Sequence, residues 1–330
     1  METEALECGD MSSPNILLLN QSGPTEFVFR VFTTSPRIQA LLFCLFLLLY
    51  VMILCGNTII IYIVWTHSSL RTPMYFFLSN LSFLEICYTT TVVPLMLSNI
   101  FGAQKPIPLA GCSAQMFIFL TLGGADCFLL AIMAYDRYVA ICHPLHYTLI
   151  MTQKRCTQLV VGSMCLALLL DLQLTVLICT LPFCGHILEI NHFMCDAPPV
   201  LRLACGDTKI HQAILFMVGT LVLTVPFLLI SISYIFIANS ILRIRSAEGR
   251  RRAFSTCSSH LSVVVLQYGC SSLVYMRPRS NTSEDEDRQL ALVYTFVIPL
   301  LNPLIYTLRN KDVKDALKKS MSYRRTSEIQ

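Results

Sequence analysis

Seven long apolar stretches alternate with short polar breaks along this chain, at about residues 38–65, 73–100, 112–142, 156–181, 211–242, 253–276 and 289–308. A helix needs about 20 mostly apolar residues to cross a bilayer, and tilt absorbs the excess where a stretch is longer. The runs are continuous, without the alternating segments of about ten residues that mark an outer-membrane barrel. No internal repeat is visible, which weakens a transporter built from duplicated halves. The pattern predicts an all-α membrane protein, a seven-transmembrane helix bundle over 38–308, with tails at 1–37 and 309–330.

Composition supports this reading. Only 13% of residues are charged, 55% are hydrophobic, and the mean hydropathy is +0.62. Soluble domains carry about 25% charged residues. The net charge of +4 is too small to suggest nucleic acid as a partner. Charge placement predicts the orientation. With the N-terminus outside and the C-terminus inside, 16 of the 24 Lys and Arg fall on the inner side, among them Arg71, Arg137, Arg243, Arg245, Arg250, Arg251 and Arg252. The acids lean outward, Glu284, Asp285, Glu286 and Asp287 included. The first 35 residues hold no apolar core long enough for a cleaved signal, so the first span is expected to direct its own insertion.

Ionisable groups inside spans are costly and mark candidate chemistry. Counting 1.5 Å per residue from the inner face puts Glu85 and Asp126 at similar depths, about 18 and 16 Å up. Asn57 and Asn302 fall within about two turns of them. Two readings stand side by side: a small hydrated site for a cation (sodium the candidate) or a shared proton, and an interhelical hydrogen-bond knot with one acid protonated. Asp171 in span four is a third acid without a clear partner. Asp136-Arg137-Tyr138 closes span three, where a charged triplet is often a snorkelling anchor. Pro226, Pro299 and Pro303 interrupt apolar helices, each removing a backbone donor and permitting a kink. No metal motif or nucleophilic triad marks the chain as an enzyme. A channel or transporter working through Glu85 and Asp126 lacks charged pore rings, and flux lost on Glu85 substitution would be its test.

Several motifs in order carry a family resemblance. Met133-Ala134-Tyr135-Asp136-Arg137-Tyr138-Val139-Ala140-Ile141-Cys142, Pro73-Met74-Tyr75, Ser233-Tyr234, Ala253-Phe254-Ser255-Thr256-Cys257-Ser258-Ser259-His260-Leu261 and Pro299-Leu300-Leu301-Asn302-Pro303-Leu304-Ile305-Tyr306 stand at the right spacings. Together they resemble the olfactory receptors, rhodopsin-like G-protein-coupled receptors, and the second outer loop resembles their tetrapod-type (class II) branch. Asp126 departs from the family, standing where Glu is common. Asp171 is also unusual, and could perturb packing or reach toward the ligand cavity.

The resemblance implies a receptor for a small, mostly apolar volatile odorant that activates a stimulatory, olfactory-type G protein and raises cyclic AMP. It would sit in the plasma membrane among lipids, in olfactory cilia, with a short amphipathic helix after span seven. A receptor of the same fold for a non-odour ligand outside the nose is the alternative. The implied ligand set is Phe119, Leu120, Gly123, Gly124, Val218, Val222, Tyr268, Ser271, Tyr275 and Thr295. Phe119 stands where amine receptors carry an acid, which points away from a strongly cationic ligand. The implied activation set is Asp136, Arg137, Tyr138, Tyr234, Asn302, Pro303 and Tyr306, with helix six swinging from helix three when ligand binds.

Four cysteines predicted to lie outside, Cys112, Cys184, Cys195 and Cys205, allow three pairings by themselves. The resemblance selects Cys112–Cys195 and Cys184–Cys205. Asn20-Gln21-Ser22 is a glycosylation sequon on the outer tail.

Overall fold

The computed structural model describes residues 26–101, 105–277, 284–309 and 313–317. The glycosylation site expected at Asn20 lies outside them. Seven long helices carry the chain: α1 (Pro36–Thr66), α2 (Pro73–Asn99), α3 (Leu109–Cys142), α4 (Gln153–Cys179), α5 (Lys209–Leu242), α6 (Ala247–Tyr275) and α7, which runs through Glu284–Leu292, Val293–Val297 and Ile298–Arg309. Among the described residues, six of the seven are long and apolar enough to cross a membrane. The exception is α6, whose first turns carry Glu248, Arg250 and Arg251 and whose body is rich in Ser.

Local chemistry sets the helix starts. Pro36 and Pro73 open α1 and α2 behind the extended residues Ser35 and Thr72. A first-turn proline has its φ preset and lacks only an N–H that the helix would leave unpaired. The Thr152 side chain accepts the Arg155 N–H at 3.4 Å, and the Ser246 hydroxyl accepts the Gly249 N–H at 3.2 Å, capping α4 and α6. Two wider, π-helical turns interrupt the bundle, Thr220–Thr224 in α5 and Val293–Val297 in α7. Each ends two residues before a proline, Pro226 or Pro299. A proline ring crowds the turn before it, and the wider turn relieves that crowding.

α3 is the hub, packed against α2, α4 and α5, while α1 leans on α2 and α7. Its outward side chains, Leu41, Leu48 and Trp65 among them, are exposed, as a helix facing lipid requires. Gly56 lets α1 approach α7 closely: a Cβ there would meet the Pro303 ring at 3.1 Å. Beyond α7, residues 313–317 form a helical turn that buries Val313 and Ala316 and exposes Lys314 and Asp315. This is the short amphipathic helix.

A small sheet covers the end where α3 begins. β1 (Glu26–Phe29) runs antiparallel to β2 (Ile107–Pro108) and parallel to β3 (Ile187–Ile190), pairing Phe27 with Ile107 and Leu188. Phe27 is fully buried, with its ring edge-on to Phe183 at 5.5 Å. Sequence patterning gave no sign of this sheet, because strands of four residues or fewer are too short to show a period of two. Both disulfides close in the same region, Cys112–Cys195 and Cys184–Cys205.

Candidate ligand cavity

Below this sheet the helices leave a cavity. Its walls come from Tyr88 of α2, Phe119, Leu120, Gly123, Gly124 and Cys127 of α3, Asp171 and Leu174 of α4, Leu215, Val218, Gly219, Val222 and Leu223 of α5, Gln267, Ser271 and Tyr275 of α6, and Tyr294 of α7. Its volume is about 70 Å³. That is space for a few waters, so the cavity suits a compact molecule. Aromatic rings stack along one side, Tyr88 on Phe119 with centroids 4.8 Å apart and Phe119 near Tyr294 at 6.0 Å. The wider turn of α5 contributes Val222 and Leu223, and that of α7 contributes Tyr294.

The loop after α4 forms the roof. Cys195 is bonded to Cys112, and its N–H donates to Gln115 Oε1 at 2.9 Å. The Gln115 Nε2 donates in turn to the Thr91 carbonyl of α2 at 3.0 Å. The next residue, Asp196, caps the short helix Ala197–Arg202 by accepting the Ala197 N–H at 2.7 Å. Its carboxylate also accepts the Tyr275 hydroxyl, 3.0 Å from each oxygen, and the Tyr294 hydroxyl at 3.3 Å. One acid therefore ties the roof to α6 and α7. Arg202 pairs with Asp287 at 2.7 Å, and Arg288 donates to the Arg30 carbonyl and lies over the Phe32 ring.

Burial pushes the Asp196 carboxyl up to about 6, with Asp287 adding to the shift, although the Ala197 N–H and the two tyrosine hydroxyls pull the other way. A carboxyl raised on folding makes the folded state bind its proton more tightly. Its contribution therefore strengthens as pH falls from about 6 towards 4 and is lost as pH rises through 6. Wild type should gain about 1 kcal/mol between pH 7 and 5 relative to Asp196→Asn. Melting of the purified protein at the two pH values checks this; equal pH dependence in both proteins would overturn it.

At the opposite end, Asp136 and Arg137 are buried instead of reaching outward. The Tyr147 hydroxyl donates to Asp136 Oδ1 at 2.9 Å. Arg137 reaches the Cys257 side chain and lies beside His260 of α6. Tyr234 hydrogen-bonds the same two residues, at His260 Nδ1 (2.9 Å) and the Cys257 carbonyl (3.4 Å). Tyr138 packs its ring at a tilt against Phe236 and shares a 3.0 Å hydrogen bond with His143. Between the two ends, Asn302 donates to Glu85, and Asn57 donates to the Pro299 carbonyl at 3.2 Å.

The sequence model of the olfactory receptor family matches residues 43–324. The chain is 75% identical to human "Olfactory receptor 10Q1" over 305 residues, covering 92% of this chain and 96% of the relative. It is 53% identical to human "Olfactory receptor 10V1" over 92% of this chain and 98% of the relative. With mouse "Olfactory receptor 10J5" it shares 49% over 88% and 94%. The chain belongs to the olfactory receptor family. It is a multi-pass plasma-membrane receptor, and these relatives favour an odour ligand over a non-odour one.

Eight of the ten residues expected at the ligand line the receptor's cavity: Phe119, Leu120, Gly123, Gly124, Val218, Val222, Ser271 and Tyr275. Two do not. Tyr268 points to α3 and donates to the Cys127 carbonyl at 2.7 Å, while Thr295 is fully buried against Tyr88. Tyr88, Asp171, Leu174, Gln267 and Tyr294 were not in the expected set, which drew on four helices and left out α2 and α4. An acid in mid-span was the available signal for Asp171. Of the activation set, Arg137 and Tyr234 meet α6 and Asp136 meets Tyr147 of the segment between α3 and α4, whereas Asn302 and Pro303 sit a level higher, against Glu85 and Gly56. The Tyr306 side chain lies outside the described ones.

Proposed function

We propose that this receptor binds a small, mostly apolar volatile odorant in the cavity beneath the Cys195 roof and activates a stimulatory, olfactory-type G protein, raising cyclic AMP. The supporting observation is an aromatic-lined cavity that α6 lines directly through Gln267, Ser271 and Tyr275 and meets again through a hydrogen bond from Tyr268. Cys127 lines the cavity, and its carbonyl holds the Tyr268 hydroxyl of α6. About two to three turns along α6 from Tyr268, His260 and Cys257 lie against Arg137 and Tyr234. An odorant that prefers a displaced Tyr268 biases α6 away from α3 and uncovers Arg137. In this reading the disulfide end faces outward and the Arg137 end inward, with Arg250, Arg251 and the tail helix beside the G protein and lipid headgroups.

The buried polar group at Glu85 can hold a cation in the same scheme. Glu85 Oε2, Asp126 Oδ1 and Asn57 Oδ1 are buried acceptors without hydrogen-bond partners among the described residues. Three unpaired oxygens suit sodium, which would supply the positive charge that two buried acids lack. Glu85, Asp126 and Asn57 would hold it.

The test is cyclic AMP in cells that express the receptor, across a panel of volatile odorants, with Arg137→Ala as the control. Wild type should respond to some members of the panel. The variant should lose at least about 90% of the response while reaching the surface and binding the same odorant, because Arg137 lies at the end of α3 remote from the cavity. Arg137→Ala signalling at wild-type level would overturn the proposed coupling.

A further inference from the structure

Phe119 takes an acid away from α3, but the cavity has one from another helix. Asp171 of α4 lines it and is only 4% exposed. Its Oδ2 has no hydrogen-bond partner among the described residues. Gly124 makes room for that oxygen, since a Cβ at Gly124 would lie 3.3 Å from it. A buried carboxylate without a donor or counter-ion is costly. The other buried carboxylates of this half are partnered: Asp196 accepts from two tyrosines and a backbone N–H, and Asp287 pairs with Arg202.

We infer that Asp171 is the specificity-determining residue of this receptor and selects small volatile amines, its carboxylate receiving the ligand ammonium while the apolar remainder packs against the aromatic wall. The inference rests on the proposed odorant-binding role and narrows it. Three observations converge on this ligand class. The orphan oxygen asks for a cationic donor. The Phe119, Tyr88 and Tyr294 rings offer an apolar wall for the remainder of the ligand. The cavity is small enough to hold a short amine closely. A neutral hydrocarbon would leave Asp171 unpaired, and a hydroxyl would supply one neutral hydrogen bond where an ammonium supplies charge-assisted ones.

The test is a matched series in cells expressing the full receptor: isopentylamine, isopentanol and 2-methylpentane, then 2-phenylethylamine, 2-phenylethanol and propylbenzene. Cyclic AMP is normalised to surface receptor. Wild type should respond to the amine of each set at the lowest concentration. Asp171→Asn, which keeps shape and removes charge, should weaken the amine response by about 30-fold or more while moving the neutral responses by less than about threefold. Gly124→Ala, which crowds the carboxylate, should weaken amines more than hydrocarbons. An unchanged amine response in Asp171→Asn would overturn the inference. So would amine and hydrocarbon responses falling in equal proportion, which is the mark of a structural role. Neutral volatiles active in wild type while every amine is silent would overturn it and leave the odorant reading standing. Silence to every volatile at normal surface level would overturn both.

Discussion

Cys195→Ser is expected to lower the stability of the receptor by about 2–5 kcal/mol and to remove most of it from the cell surface. The bond to Cys112 closes a sequence separation of 83 residues, so its loss releases a long loop in the unfolded chain. The folded side loses more than the bond. Cys195 is held against Gln115, and Asp196, its neighbour, carries the tyrosine hydroxyls of α6 and α7. A released roof would therefore also loosen the cavity. Cys184→Ser is the internal comparison. Its separation is 21 residues, and the loop-closure relation makes its entropic effect about 1 kcal/mol smaller. Thermal unfolding in detergent and surface labelling of intact cells check both. A Cys195→Ser protein that melts with wild type, or below Cys184→Ser in severity, would contradict this account.

The helix bundle was legible because lipid leaves so few alternatives. Within hydrocarbon the backbone must satisfy itself, so a continuous apolar run of twenty or more residues can only be a helix or be buried by protein. Even α6, with its charged first turns, was marked by its apolar second half. The features that shape the cavity were less legible. The wider turns before Pro226 and Pro299 depend on how each helix resolves a local clash, and a proline alone permits a kink, a wider turn or neither. Tyr268 and Thr295 came from the resemblance alone, and only the fold shows that the first bonds the Cys127 carbonyl and the second lies against Tyr88. Asp171 was legible as an anomaly, because a mid-span acid is expensive. Its meaning required the fold, which brings α4 against Gly124 of α3.

The fate of the group at Glu85 separates its two readings. Glu85→Ala should cost about 2–3 kcal/mol, because it strips Asn302 of its buried acceptor and leaves a cavity. Glu85→Gln keeps the shape and an acceptor for Asn302, so the loss should shrink to about 1 kcal/mol if the group is a hydrogen-bond knot. If it holds sodium, the amide removes a charge that the ion needs. Wild type should then melt higher as sodium replaces potassium at constant ionic strength, while Glu85→Gln and Asp126→Asn should not. Ligand that binds only the folded state stabilises it by about 2.7 kcal/mol at 100 times its dissociation constant, which is readily seen as a shift in melting temperature. Asp126 sits close enough to act on Glu85 electrostatically, so the two substitutions should be strongly non-additive in either reading. Only the sodium response divides them: a shift in wild type that both variants abolish supports the ion, and a melting temperature indifferent to sodium in all three proteins supports the knot.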